Sequence, residues 1–288
     1  FCSEKGSGEH IKSRIFDLVT NTDIKSSLHI PASNDITNQT VSISTQVKNY
    51  FNSYKSQRAN KFIAYFQNFT NTYDTIENLK SKYDAALIDN RIAGLEVATR
   101  PDCINDDIAK LLKIYAKKYY VCVELGLQTA NEETGKYINR CYTNKDFSNA
   151  VDILNKYNID VVAHIMIGLP NIACKTKSDK YNSGFTSDTI ETIKFINKHN
   201  IQGLKIHSCY VVKNTKLEEM YLNGQYIPLT LEQYIEQCAY IIAHISPNIV
   251  IHRVSGDAPK DMLVAPSWNS HKKWILNGLD KFLKENEL

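Results

Sequence analysis

No apolar run reaches the roughly 18 residues that a membrane-spanning helix needs. Cysteine pairs of the CxxC kind are missing, although seven cysteines are scattered at positions 2, 103, 122, 141, 174, 209 and 238. An odd, dispersed set in a chain of this length reads as reduced thiols in a cytoplasmic protein, not as a disulfide framework. Six of the seven read as small core residues. No HExxH or GxSxG stretch occurs, which removes the common zinc-hydrolase and serine-hydrolase patterns. No GxGxxG or GxxxxGK[ST] loop follows a strand-like run, which lowers a nucleotide-binding open sheet. Charge of one sign is also scarce: a formal +3 is too little to argue for nucleic acid or an acidic membrane surface.

What remains is an ordinary globular composition, 43% hydrophobic and 23% charged over 288 residues, long enough for one large α/β core or two smaller ones. Short β-branched runs alternate with amphipathic stretches. The predicted strands are Phe62–Phe66, Ile92–Val97, Tyr120–Leu125, Val161–Ile167, Leu204–Val211 and Ile249–Val254. Between them lie helix signals. Asp74 stands at capping-box spacing from Glu77, and Asn105 precedes a stripe of Ile108, Leu111, Leu112 and Tyr115. Asp106 and Asp107 open that helix and Lys117 and Lys118 close it, in keeping with its dipole. Residues 20–47 and 171–186 are rich in polar residues without a period and are read as inserted surface loops.

Repeated βα units allow a barrel or an open sheet. In a βα barrel the chemistry gathers at the carboxyl ends of the strands. Polar residues collect there: Gln67, Asn68, Thr70 and Asn71, then Glu96, Thr99 and Arg100, then Glu124 and Gln128. The barrel is therefore favoured. Val123–Thr129, followed by Asn139-Arg140, is the densest patch. A carboxylate at Glu124 and an amide at Gln128 suit a ribose diol, and Arg140 could grip a ligand carboxylate through paired bonds. Equally open is a buried Glu124–Arg140 ion pair with Gln128 as a loop anchor. Glu96 needs a partner or a ligand inside its apolar strand. His164 and His207 are read as core histidines when taken alone, and Lys205 as a salt-bridge candidate.

These residues resemble the radical S-adenosylmethionine (SAM) superfamily, in its YhcC-like Fe-S oxidoreductase group, with a core similar to the Elongator catalytic subunit and oxygen-independent coproporphyrinogen oxidase. The resemblance runs through Phe1–Gly8, Tyr65–Tyr73, Thr99–Cys103, Val123–Thr129 with Asn139-Arg140, His164–Pro170 and Ile251–Pro259. It implies an α/β fold, a partial six-stranded (β/α) barrel over residues 1–254, with residues 255–288 as a C-terminal extension. It implies a [4Fe-4S] cluster, SAM as co-substrate and an electron donor such as a flavodoxin or ferredoxin. Reductive cleavage of SAM would give a 5′-deoxyadenosyl radical that acts on an unassigned substrate.

Carried over by position, Cys2 is a cluster ligand, Gln67 and Asn68 approach the methionine amino group, and Glu96 and Gln128 meet the ribose. Arg140 meets the methionine carboxylate, the backbone around Met166 the adenine, and Glu124 stands beside Gln128. His252, Arg253 and Asp257 are candidate substrate contacts at the rim, against a structural turn held by Asp257 and Pro259. The family pattern places two further cluster cysteines and a first strand ahead of Phe1, so the chain as written is expected to be inactive. Two departures stand out: Gly-Leu-Pro is followed by Asn171-Ile172, and Cys141-Tyr142 stand where the family has Gly-His. A left-handed cap at Cys141 would cost about 1 kcal/mol. Two rival readings are a cluster-free barrel enzyme with a Glu–His or Lys site and a noncatalytic RNA-binding or interaction module. Low charge and the lack of a basic or aromatic run argue against the second.

Overall fold

The computed structural model describes residues 41–170, 188–256, 258 and 261–287. Six parallel strands form one sheet in the order β1 (Phe62–Phe66), β2 (Ile92–Thr99), β3 (Tyr120–Gln128), β4 (Asp160–Ile167), β5 (Gly203–Ser208) and β7 (Val250–Arg253). Such an order, with a helix-bearing crossover between neighbouring strands, makes the half-barrel expected from the βα repeats. The predicted strand Leu204–Val211 is divided. Its sheet pairing ends at Ser208, and Val211–Val212 forms β6, which pairs antiparallel with β8 (Leu263–Ala265).

Period two separates the faces of the sheet. Ala64 and Phe66, Leu95 and Val97, Val123 and Leu125, Val161, Ala163 and Ile165, and Leu204 and Ile206 all join one apolar core. Helices α2 (Ile76–Ala86), α3 (Asp106–Ala116), α5 (Asn144–Lys156), α6 (Asp188–Ile196) and α8 (Leu231–His244) supply its other half, through Tyr83, Leu112, Phe147, Ile196 and Tyr234 among others. Each fully buried side chain of this kind contributes about 1.5–3 kcal/mol. The residues between them, Tyr65, Glu96, Glu124, His164, Lys205 and His207, are polar and occupy the opposite, inner face.

Helix starts follow side-chain capping. Asn105 accepts from the Ile108 amide, and Asn131 from the Thr134 amide at α4 (Glu132–Tyr137). Thr143 with Asp146 and Thr230 with Gln233 form full capping boxes at α5 and α8. At α2 the cap is Thr75, not Asp74, which instead accepts from the Thr75 amide and pairs with Lys82. The loop expected over 20–47 is also corrected at its end. Ser42 caps α1 (Ile43–Phe51), whose Phe51 packs edge-on against Phe62 of β1. At the other end of the chain, α9 (Lys272–Glu285) places Ile275 and Leu279 in the core, and α7 (Lys216–Leu222) lies beside β6. Cys2, Cys174, Asp257, Pro259 and the segment 171–186 fall outside the described residues.

Candidate functional site

At the carboxyl end of β1 the chain turns through Phe69, whose φ of 62° is left-handed. Asn71 pins this end by donating to the Phe66 and Ala98 carbonyls at 3.0 and 2.8 Å, and Thr72 bonds Thr99 and the Cys103 carbonyl. These groups are therefore structural. Asn68 differs: both its amide nitrogen and its amide oxygen are buried without a hydrogen-bond partner. Leaving them so is costly, because a buried amide loses its water. Gln67 stands beside it, half-buried.

At the end of β3 the ladder to β4 bulges between Gly126 and Gln128, and Gln128 adopts a φ of 59°. Its amide folds back over Gly126, where a Cβ would lie 2.6 Å from Nε2. Tyr142 donates its hydroxyl to Gln128 Oε1, and its ring sits 5.1 Å from the Arg100 guanidinium and 5.3 Å from that of Arg140. Tyr142 was read only as a departure from a pattern. Nothing in the spacing shows that it would orient Gln128.

Arg140 does not pair with Glu124. It donates from Nε to the Tyr142 carbonyl at 2.9 Å, from one terminal nitrogen to the Leu127 and Thr129 carbonyls and Asn144 Oδ1, and from the other to Glu132 at 2.9 Å. Its side chain is 2% exposed. Gly135 lets it pass, since a Cβ there would lie 3.0 Å from Cζ. A guanidinium engaged at every nitrogen offers no paired N–H edge to a ligand carboxylate. The reason is local: the turn after β3 leaves carbonyls pointing inward, and Arg140 is the donor that satisfies them.

Glu124 belongs to another network. It is fully buried, pairs with Lys205, and accepts from the Tyr65 hydroxyl. Lys205 also reaches Glu96 at 3.3 Å and lies 4.8 Å from the Tyr65 ring centre. The salt-bridge reading of Lys205 thus holds, with two carboxylates on one ammonium. Tyr65 had not been singled out, although its place in the period-two alternation puts it on this face. Burial lowers the Lys205 pKa against the pull of Glu96, and raises that of Tyr65. Cys122, on the same face, is pushed up to about 12 by burial and by Glu96.

His164 Nε2 approaches Glu124 to 2.8 Å without the alignment of a hydrogen bond, beside the Tyr65 and Lys205 contacts to the same carboxylate. Burial, aided by the positive charge of Arg253, pushes the His164 pKa down to about 4. His207 stacks near it with ring centres 5.2 Å apart, and burial holds it neutral too. Its Nε2 is likewise buried without a partner. Met166 follows on the same strand as His164 and packs against the small apolar cluster that holds Leu169, Cys209 and Val211, while Gly168 takes a φ of 79° under Leu229. His252 lies over Gly203, the first residue of β5, and so at the amino end of the sheet rather than at the rim. Arg253 pairs in register with Lys205.

The sequence comparisons agree with this geometry. The Radical SAM superfamily description matches residues 43–173 and the Radical SAM C-terminal domain matches residues 201–285. The uncharacterized protein YtqA of Bacillus subtilis is 31% identical over 285 residues, covering 99% of this chain and 77% of its own. The chain belongs to the radical SAM superfamily. Protein YhcC of Escherichia coli K12 is 30% identical over 230 residues, covering 80% of this chain and 71% of its own, which places the chain in the YhcC-like group. The structure of the archaeal Methanocaldococcus infernus Elp3 superposes with a TM-score of 0.64 at 19% identity, over 85% of this chain and 58% of that one. That likeness shows the shared half-barrel fold.

Proposed function

We propose that this radical SAM protein binds SAM at the carboxyl rim of β1 to β4 and presents its substrate to the polar inner face of the half-barrel. The observation that carries the reading is the pair of unpaired buried amide atoms on Asn68 after β1, while a second amide, Gln128 at the end of β3, is held in place by Tyr142. Asn68 has one donor and one acceptor free, which suits a ligand carrying both an ammonium and a carboxylate. Gln67 stands with it. Gln128 keeps its amide nitrogen for a ribose hydroxyl, and Glu96 adds an acceptor, although it shares Lys205. Met166 offers an apolar surface and backbone polar groups to an adenine. Arg140 acts indirectly, by fixing the turn that carries Gln128 and Tyr142.

The family's [4Fe-4S] cluster would have Cys2 among its ligands, a residue outside the described part of the structure. Among the described residues no group of three His, Cys, Asp or Glu side chains could hold a metal. When bound, the cluster supplies the electron that cleaves SAM, delivered by a donor such as a flavodoxin or ferredoxin. The chain's own part is to orient SAM at a face where two carboxylates, Glu96 and Glu124, share Lys205 and both histidines are uncharged. No helix of the described residues is long and apolar enough to cross a membrane.

The test is anaerobic reconstitution of the full-length protein with iron and sulfide. Broad absorbance near about 400 nm and 5′-deoxyadenosine from SAM plus dithionite are expected. Asn68→Ala should weaken SAM binding without bleaching the cluster. A colourless protein that leaves SAM intact would overturn the proposal.

A further inference from the structure

We infer that the inner wall between β4, β5 and β7 binds a compact oxyanion of the substrate, with Arg253 as counter-ion, His207 as a neutral hydrogen-bonding partner and His164 beside it. The word substrate rests on the radical SAM reading, whereas the oxyanion site rests on these residues alone.

The site follows from a count of donors. On this wall Lys205 is committed to Glu124 and Glu96, and Tyr65 to Glu124. Arg253 is half-buried and forms no ion pair or hydrogen bond with another described residue. It nonetheless lies close enough to act electrostatically on Tyr65, His164, Lys205 and His207. His207 Nε2 and Ser255 Oγ are buried without a partner, whereas His164 Nε2 faces Glu124 at 2.8 Å. A guanidinium, an imidazole and a hydroxyl can donate at once, and no acceptor among the described residues meets them. The missing partner is therefore rich in lone pairs. A carboxylate or a phosphate has that chemistry, and a cation does not.

The glycine at 256 sets the ring of His207: a Cβ there would fall 2.7 Å from Nδ1, so any side chain would displace the ring. The imidazoles of His164 and His207 lie 5.2 Å apart and inclined by 32°. Neutrality also fits. An imidazole with no fixed partner at Nε2 can place its proton there and donate without carrying charge.

The experiment is histidine-imidazole NMR on the labelled full-length protein at pH 7 and constant ionic strength. Signals are assigned with His164→Gln and His207→Gln, and inorganic phosphate and acetate are titrated separately. Saturable shifts at both rings are expected with at least one anion. Phosphate alone would mark a phosphorylated substrate, and acetate alone a carboxylate. Arg253→Gln should weaken the apparent affinity roughly tenfold or more, the loss expected of one charge-assisted contact, while Arg253→Lys should keep much of it. The titration is repeated with the cluster loaded and SAM saturating. Rings that do not respond, an unchanged response in Arg253→Gln, or competition by SAM would each overturn the inference. Because the cluster-free titration needs no SAM cleavage, failure of the radical reading would be seen separately.

Discussion

Arg140 and Arg253 follow or end strands of the same sheet, yet they do opposite things with their donors. Arg140 is sealed in the turn after β3 and gives every nitrogen to the chain's own carbonyls, to Asn144 or to Glu132. Arg253 ends β7 half-buried and gives none to a described residue. One is a keystone for backbone groups that would otherwise be orphaned, and the other has no partner among the described residues. The difference separates a polar group that folds the protein from one kept for something the fold does not contain.

The largest expected effect tests that separation directly. Arg140→Ala strips donors from the Leu127, Thr129 and Tyr142 carbonyls and takes the cation from Glu132. It should cost about 3–5 kcal/mol, as for other broken buried pairs. Arg253→Gln breaks no bond and should stay within about 1 kcal/mol of the parent. Urea unfolding of both variants decides it. Equal losses would break the comparison and make Arg253 a structural residue.

A second deletion asks whether the inner face is one electrostatic unit. Lys205→Met leaves the fully buried Glu124 with Tyr65 and a neutral His164 and exposes it to Glu96, at a cost of about 2–4 kcal/mol. Adding Glu124→Gln should return a large part of that loss, since the uncompensated charge goes with it. Additive losses in denaturant melts would mean that the lysine matters for packing, not charge.

The outer half of this sheet was legible in the sequence and the inner half was not, for a physical reason. Phe62–Phe66 has the bounds expected of it, because five residues between polar neighbours leave little choice of register. The core face follows from hydrophobicity alone. On the inner face, Glu96, Glu124, His164, Lys205 and His207 were each noticed singly. Their mutual contacts span 40 to 109 positions of sequence, and no local pattern carries those. Arg140 shows the same limit. Its spacing from Gln128 pointed to a ligand clamp, but Glu132 and three inward carbonyls compete for it, and only the turn's path reveals them. Thr75 displaced Asp74 as a cap by a single residue, which is the ordinary uncertainty of helix ends.

The neutral histidines give a smaller, pH-dependent effect. An unfolded histidine takes a proton near about 6.5. Folded His164 takes one only near about 4, and His207 is displaced the same way. Between those values the unfolded chain binds more protons, so stability present above about pH 6.5 declines as pH falls towards 4. For His164 the loss should be about 1–3 kcal/mol in that window. Urea midpoints at pH 7 and pH 5 should converge in His164→Gln relative to the parent, and a parent insensitive to pH across this range would show that the ring titrates alike in the folded and unfolded chain. Phosphate, bound as inferred, should shrink the decline by favouring the protonated rings and so raising their folded pKa.

The smallest effect lies on the Arg140 side of the comparison. Cys141 follows the arginine at a φ of 63°, exposed, with its thiol near the Asn139 carbonyl. A side chain in the left-handed region is strained, and glycine is not, although glycine also gains freedom in the unfolded chain. The two terms oppose, and relief of strain should win by about 0.5–1 kcal/mol. Cys141→Gly should therefore raise the unfolding midpoint slightly while leaving Arg140's bonds in place. Cys141→Ala, which keeps the Cβ and loses only the thiol, should not. If alanine stabilises as much as glycine, the strain lies in the thiol's contact and not in the backbone.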